Sequence, residues 1–219
     1  MHKVQILPSL LSANFANLEH DIRLVEKAGI EMLHLDIMDG HFVPNITIGP
    51  VVIESIRKIT KLKLQSHLMI ENADQYIDAF VRAGSDTIII HYEAFEDTIP
   101  TLEAMRKKGI SVGIALKPKT EVSQITDILN VLDMVLIMSV EPGFGGQSFI
   151  PESIKKIKEL ALLLKKYNRQ IPIGVDGGIN GTTIKSVVDA GAHHLIAGNA
   201  VFKGDIVENI KNLKHVVNL

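Results

Sequence analysis

Short apolar runs rich in β-branched residues alternate with longer stretches of helical period along the whole chain. The runs fall at residues 4–9, 31–37, 63–69, 86–91, 110–116, 133–139, 171–176 and 193–198. Runs of that length, bounded by turn residues, suit strands buried on both faces, as in a parallel sheet. The stretches between them suit helices. Leu18, Ile22, Val25 and Ala28 recur at helical spacing between Phe15 and Ala28, and Ile154, Ile157, Leu160 and Leu164 do so between Ser153 and Tyr167. Gly29, Gly84, Gly109 and Gly191 stand where helices should end, because glycine enters the left-handed region at little steric cost.

Eight such pairs predict an α/β fold, a (β/α)8 TIM barrel, rather than a doubly wound sheet. A doubly wound sheet usually has fewer strands and a glycine fingerprint after the first, where Leu7-Pro8-Ser9-Leu10 stands here. No linker-like, charged or low-complexity tract breaks the alternation, so residues 1–219 are expected to form a single barrel domain. The active site of such a barrel is expected at the C-terminal ends of the strands.

Composition narrows the function. The chain carries 23 basic and 25 acidic side chains, a net charge of -2, which lacks the basic footprint of a nucleic-acid binder. With no cysteine, disulfides, zinc–thiolate sites, iron–sulfur clusters and cysteine nucleophiles are excluded. Neither the first residues nor any later window has the apolar length of a secretory leader or a membrane span, so the expectation is a cytoplasmic protein without a membrane partner.

In the second run, Leu33, Leu35 and Ile37 alternate with His34, Asp36 and Met38, so a period of two sends the second set into the barrel. His67 and Met69 share parity in the third run, and Asp176 ends the seventh. Two histidines and two aspartates therefore converge at one rim. Nitrogen and oxygen donors in equal number suit Zn²⁺, Fe²⁺, Mn²⁺ or Co²⁺ better than Ca²⁺ or Mg²⁺. The competing reading is four polar groups separately hydrogen-bonded, and no short-range metal motif decides between them.

Glycine supplies a second signal. Gly143, Gly145 and Gly146 follow the sixth run, Gly177 and Gly178 the seventh, and Gly198 and Asn199 the eighth. Loops of this kind after adjacent strands can turn backbone N–H groups toward a phosphate. His193 and His194 open the eighth run and should lie at the far end of the barrel. Lys117, next to Lys119, reads as part of a solvated basic loop, and His91 as a hydrogen-bonded residue behind the site.

His34-Leu-Asp36-Ile-Met38-Asp39-Gly40-His-Phe42-Val43-Pro44-Asn45 resembles a signature of ribulose-phosphate 3-epimerases, and Val140-Glu-Pro142-Gly143-Phe144-Gly145-Gly146-Gln147 resembles a second. Leu7-Pro8-Ser9, His67-Leu68-Met69, Val175-Asp176-Gly177-Gly178-Ile179 and Ala197-Gly198-Asn199-Ala200-Val201-Phe202 extend the resemblance over almost the whole chain. It implies a homo-oligomeric enzyme of the pentose phosphate pathway that interconverts D-ribulose 5-phosphate and D-xylulose 5-phosphate. It implies one divalent ion per subunit, Zn²⁺, Fe²⁺, Mn²⁺ or Co²⁺, on His34, Asp36, His67 and Asp176. Asp36 and Asp176 would be the paired acid and base, working through a metal-stabilised enediolate. Ser9, His67, Met38, Met69, Met138, Gly143, Phe144, Gly145, Gly146, Gly177, Gly178, Gly198 and Asn199 would contact substrate.

Two positions depart from the family pattern. Asn199 stands where serine is common; its amide can still hydrogen-bond, but its extra length should alter the phosphate fit. Gln65 stands where an acidic residue is common, which should alter support of the site rather than its chemistry. The rival readings are the same reaction on allulose 6-phosphate, a related decarboxylase or aldolase, and a phosphosugar-binding barrel without catalysis. The decarboxylase type uses an Asp-x-Lys pattern, whereas this chain has Asp36-Ile37-Met38. A mere binder would not need both aspartates and both histidines.

Overall fold

The computed structural model describes residues 2–219; residue 1, which opens the expected domain, lies outside the described residues. Eight strands form one parallel sheet: β1 (Gln5–Pro8), β2 (Met32–Met38), β3 (Lys63–Met69), β4 (Thr87–His91), β5 (Ser111–Leu116), β6 (Met134–Met138), β7 (Ile173–Asp176) and β8 (His194–Ala197). Neighbours pair in chain order from β2 to β8, and β8 pairs with β1. A parallel bridge between Ser9 and His34 joins β1 to β2, so the sheet curls into the nearly closed barrel that the alternation predicts.

The pattern of runs locates every strand, but most ends differ by a residue or two. β7 begins at Ile173 rather than 171, because Pro172 has no N–H to give the ladder; its carbonyl still accepts from Val135 N–H at 3.2 Å. β2 runs one residue beyond its apolar set, to Met38.

The helices are α1 (Leu18–Lys27), α2 (Pro50–Ile59), α3 (Ile77–Ala83), α4 (Ile99–Arg106), α5 (Ser153–Lys166), α6 (Ile184–Asp189), α7 (Asn199–Phe202) and α8 (Ile206–Val216). Two segments depart from the helical expectation. Phe15–Asn17 is a separate 3-10 turn whose Ala16 N–H donates to the Asn14 side chain at 3.1 Å, so α1 proper begins later. Between β5 and β6 the chain forms a 3-10 helix, Val122–Val131, instead of an α-helix. Val122, Ile125 and Ile128 are all buried there, and their repeat of three is the period at which a 3-10 helix stacks side chains on one face. The four glycines expected to close helices have φ between 70° and 113°.

The period of two along the strands builds two cores. Leu33, Leu35 and Ile37 of β2 and Ile88 and Ile90 of β4 pack outward against helix residues such as Ile22, Ile53 and Leu160. Leu7, Ile89, Ala115, Met134, Leu136 and Ile196 fill the barrel, with Met138 and Val140 above them. Phe80 of α3 is 1% exposed within the outer layer. Phe80→Ala is expected to cost roughly 3–5 kcal/mol of stability, seen as a lower urea midpoint with little change of slope. Among the described residues no helix is long and apolar enough to cross a membrane.

Candidate metal and substrate site

β2 and β3 pair with His34 beside Gln65, Asp36 beside His67 and Met38 beside Met69. Alternation sends all six inward, while β7 brings Asp176 to the same rim beside Met138 of β6. The result is a compact cluster. His34 Nε2 lies 3.3 Å from Asp36 Oδ1 and 3.8 Å from Asp176 Oδ2, and His67 Nδ1 lies 3.2 and 3.7 Å from the same two atoms. The two nitrogens are 3.4 Å apart. His34, Asp36 and His67 are buried and Asp176 is half-buried.

These four residues can hold a metal ion. Ligands at about 2.1 Å from a four- to six-coordinate ion stand roughly 3.0–3.4 Å apart, close to the 3.2–3.8 Å edges of the cluster. The donor atoms all lie within 4.8 Å of one another. His34 is oriented from behind: its Nδ1 is 2.7 Å from Gln65 Oε1. Gln65 turns its amide nitrogen toward Met134 Sδ at 3.2 Å and Met32 Sδ at 3.7 Å, which leaves the oxygen to accept from His34. The amide replacing the acidic residue common in relatives therefore keeps the supporting hydrogen bond.

The environment drives the two carboxyl groups apart. Burial works against charge on Asp36, yet the charge of the neighbouring His34, its hydrogen bond to the carboxylate and the close approach of His67 hold its pKa well below the ordinary carboxylate range. Ser9 Oγ also donates to Asp36 Oδ2 at 2.6 Å. Burial and the negative charge of Asp36 raise Asp176 to about 7. Burial would lower His34, but the Asp36 and Asp176 carboxylates and the hydrogen bonds to Asp36 and Gln65 outweigh it and raise its pKa to about 9. His67, dominated by burial, falls to about 3. One ionised and one protonated carboxyl at a shared site is the arrangement that acid–base pairs use.

A cavity of about 280 Å³ opens above the cluster. Asp36, Asp176, Ser9, Met38, Met69 and Met138 line it, together with Gly143, Phe144, Gly145, Gly146, Gly177, Gly178, Gly198 and Asn199. Of the residues expected from the sequence, only His34 and His67 do not line it; both are fully buried. The glycine loops approach closely. Gly178 has φ +66°, and a Cβ there would stand 2.5 Å from Phe149 N. A Cβ on Gly198 would collide with Ser12 Oγ, so the loop after β8 is pressed against the turn after β1.

His193 and His194 lie at the start of β8, away from the cluster, as expected. Lys117 departs from the solvated reading: its Nζ sits 3.9 Å from the centre of the Phe42 ring, which itself packs on His91. Sequence reasoning missed the residues that fix the loops. Thr47 Oγ1 donates to Asp36 O at 2.6 Å and accepts from Met38 N–H at 3.0 Å, holding the end of β2. Ser139 Oγ reaches Asp176 O at 2.9 Å and Gly177 O at 2.7 Å. Asn45 Nδ2 donates to Gly143 O at 2.7 Å and ties the first signature to the second. Asn45 stood inside a quoted signature, whereas neither Thr47 nor Ser139 carried a signal beyond being polar near an apolar strand end.

Residues 5–202 match the model of the ribulose-phosphate 3 epimerase family. The chain is 46% identical over 200 residues to the ribulose-phosphate 3-epimerase of Bacillus subtilis, covering 91% of this chain and 92% of that one. It is 44% identical over 213 residues to the chloroplastic ribulose-5-phosphate-3-epimerase of Arabidopsis thaliana, covering 95% and 75%. Among solved structures, KGPDC from Streptococcus mutans superposes with a TM-score of 0.72 at 15% identity, covering 99% of this chain and 98% of that one. At that identity the likeness concerns the barrel alone. The two sequence matches carry more, since they span the strands that deliver both histidines and both aspartates: the chain belongs to the ribulose-phosphate 3-epimerase family of enzymes.

Proposed function

We propose that this chain inverts carbon 3 between D-ribulose 5-phosphate and D-xylulose 5-phosphate, with Asp36 and Asp176 as paired base and acid. One observation carries the reading: the Asp36 and Asp176 carboxyl groups line a single cavity, each within 4 Å of His34 Nε2 and His67 Nδ1. On the shorter way round the barrel β2 and β7 are separated by β1 and β8, so the two groups reach the floor from different sides. Inversion needs that placement, because a single base tends to return the proton to the face it came from.

Asp36, ionised, takes the proton from carbon 3 on one face, and Asp176, protonated on the oxygen that does not face the two histidines, delivers one to the other. The reverse reaction exchanges the roles. Each turnover leaves the pair with its protonation exchanged, so exchange with solvent or a reverse turnover resets it. The hydrogen bond from Ser9 favours the ionised form of Asp36. Met38, Met69 and Met138 wall the reacting carbon with polarisable surface that carries no exchangeable proton. The glycine loops after β6, β7 and β8 take the phosphate end, their backbone N–H groups brought close because no side chain intervenes.

His34, Asp36, His67 and Asp176 would hold one divalent ion per subunit, Zn²⁺, Fe²⁺, Mn²⁺ or Co²⁺. Such an ion supplies Lewis-acid stabilisation to negative charge developing on the oxygens of carbons 2 and 3. The test is turnover of D-ribulose 5-phosphate in D2O by the purified protein, with its metal content measured. Xylulose 5-phosphate carrying deuterium at carbon 3, with activity lost on chelation and restored by a divalent ion, is the expected result. Absence of turnover by metal-loaded protein overturns the reading, and activity on allulose 6-phosphate would then place the reaction on the six-carbon substrate.

A further inference from the structure

A hydrogen-bonded chain runs from His67 away from the cavity and ends on a carboxylate that the reaction does not use. His67 Nε2 is 2.9 Å from His91 Nε2, and His91 Nδ1 is 3.0 Å from Glu93 Oε2. Both histidines are fully buried, their rings meeting edge to edge with centroids 5.0 Å and planes 28° apart. The other oxygen, Glu93 Oε1, accepts from Lys117 N–H at 2.7 Å and from the Thr120 hydroxyl. With both oxygens accepting, Glu93 is a carboxylate whose orientation is fixed from behind. Phe42, lying 4.9 Å from His91 centroid to centroid, covers that ring.

We propose that Glu93 is a positioning residue for the metal site: acting through His91, it holds His67 in the tautomer whose bare Nδ1 faces Asp36 and Asp176. The inference rests on the metal reading above. Its logic is an accounting of protons along the chain. A carboxylate at His91 Nδ1 requires an N–H there. In a neutral imidazole that leaves His91 Nε2 as an acceptor, so its partner His67 Nε2 must donate. A neutral His67 protonated at Nε2 has its lone pair on Nδ1, the atom 3.2 Å from Asp36 Oδ1 and 3.7 Å from Asp176 Oδ2. The opposite assignment would set the His91 lone pair against Glu93, where only one carboxylate stands and no cluster of ligands could hold a cation between them, or require a buried imidazolium; the His67 lone pair facing Asp36 and Asp176 is the one a bound ion would take. Carboxylates that orient metal-bound histidines act directly elsewhere; here a second histidine relays the constraint.

Glu93→Gln breaks the relay with almost no change of shape. If the amide oxygen stays on Lys117 N–H and Thr120, the amide nitrogen faces His91 Nδ1 and reverses both tautomers, placing a proton on His67 Nδ1. If the amide flips, its nitrogen opposes Lys117 N–H. The experiment is chelator competition for Zn²⁺ by the full-length wild type and E93Q, with 15N–1H spectra of the histidine rings in the Zn²⁺-loaded state. The expected result is a wild type protonated at His91 Nδ1 and His67 Nε2, and a variant binding Zn²⁺ about 10–100-fold more weakly. A wild type with His91 protonated at Nε2, or a folded E93Q within twofold of wild-type affinity, overturns the proposal. Should E93Q not fold, the wild-type ring spectra decide alone. A folded wild type that takes up no Zn²⁺ sinks the metal reading itself, an outcome distinct from equal binding by the two proteins.

Discussion

Asp176→Asn, loaded with the same metal as the wild type, is expected to lose kcat for epimerisation by on the order of 10²–10⁴, yet to keep exchanging the carbon 3 proton of one epimer with solvent. The asparagine side chain preserves shape, so what disappears is one proton donor and acceptor on one side of the cavity. Asp36 still removes the proton from the epimer that presents it. The proton returns to the same face, because nothing on the opposite side can deliver one. In D2O that epimer gains deuterium at carbon 3 without becoming the other. Asp36→Asn should give the reciprocal pattern on the other epimer, and removal of its negative charge should let the pKa of Asp176 fall from about 7. KM should move less than kcat in both, since the glycine loops at the phosphate end are untouched. The measurement is deuterium content of each epimer beside the rate of interconversion. Near-normal interconversion by metal-loaded Asp176→Asn, or equal exchange of both epimers, would dismiss the two-base mechanism.

The parts of this site that were legible in the sequence are those that a strand's period encodes. His34, Asp36 and Met38 must share a face if Leu33, Leu35 and Ile37 share the other, and the register with β3 then sets His67 beside Asp36. Asp176 was readable for the same reason, as the last residue of its run. The 3-10 helix at Val122–Val131 was not, because an apolar repeat of three or four is shared by both helix types until hydrogen bonding chooses. The residues that fix the site act through loops, and periodicity says nothing of a loop's path. Glu93 is two residues past the end of β4 and reaches both His91 and the backbone of Lys117. Thr47 returns across nine residues to hold Met38, and Asn45 spans the mouth to Gly143. Such contacts depend on three-dimensional closure, which no window of sequence contains.

The same electrostatics that separate the two carboxyl groups make metal uptake steeply dependent on pH. A ligand atom must be free of its proton to bind a cation, so each ligand still protonated at a given pH costs one proton on loading. His34, raised to about 9 by the carboxylates around it, carries a proton on Nε2 through the neutral range, and Asp176, at about 7, carries one below neutrality. Asp36 and His67 add nothing there, since the first is held well below the carboxylate range and the second is lowered to about 3. Affinity for Zn²⁺ should therefore fall about tenfold for each pH unit between 9 and 7 and about a hundredfold per unit below 7. The direction follows from mass action: lowering the pH supplies the proton that competes with the ion at both residues. Chelator competition at a series of pH values measures the slope directly once the chelator's own protonation is subtracted. Replacing His34 by glutamine should flatten the upper limb toward zero while leaving the lower limb at about one proton. An affinity that stayed flat from pH 9 to 7 in the wild type would mean that His34 is already neutral, and the ion pair between His34 and Asp36 would lose its place in the account of the site.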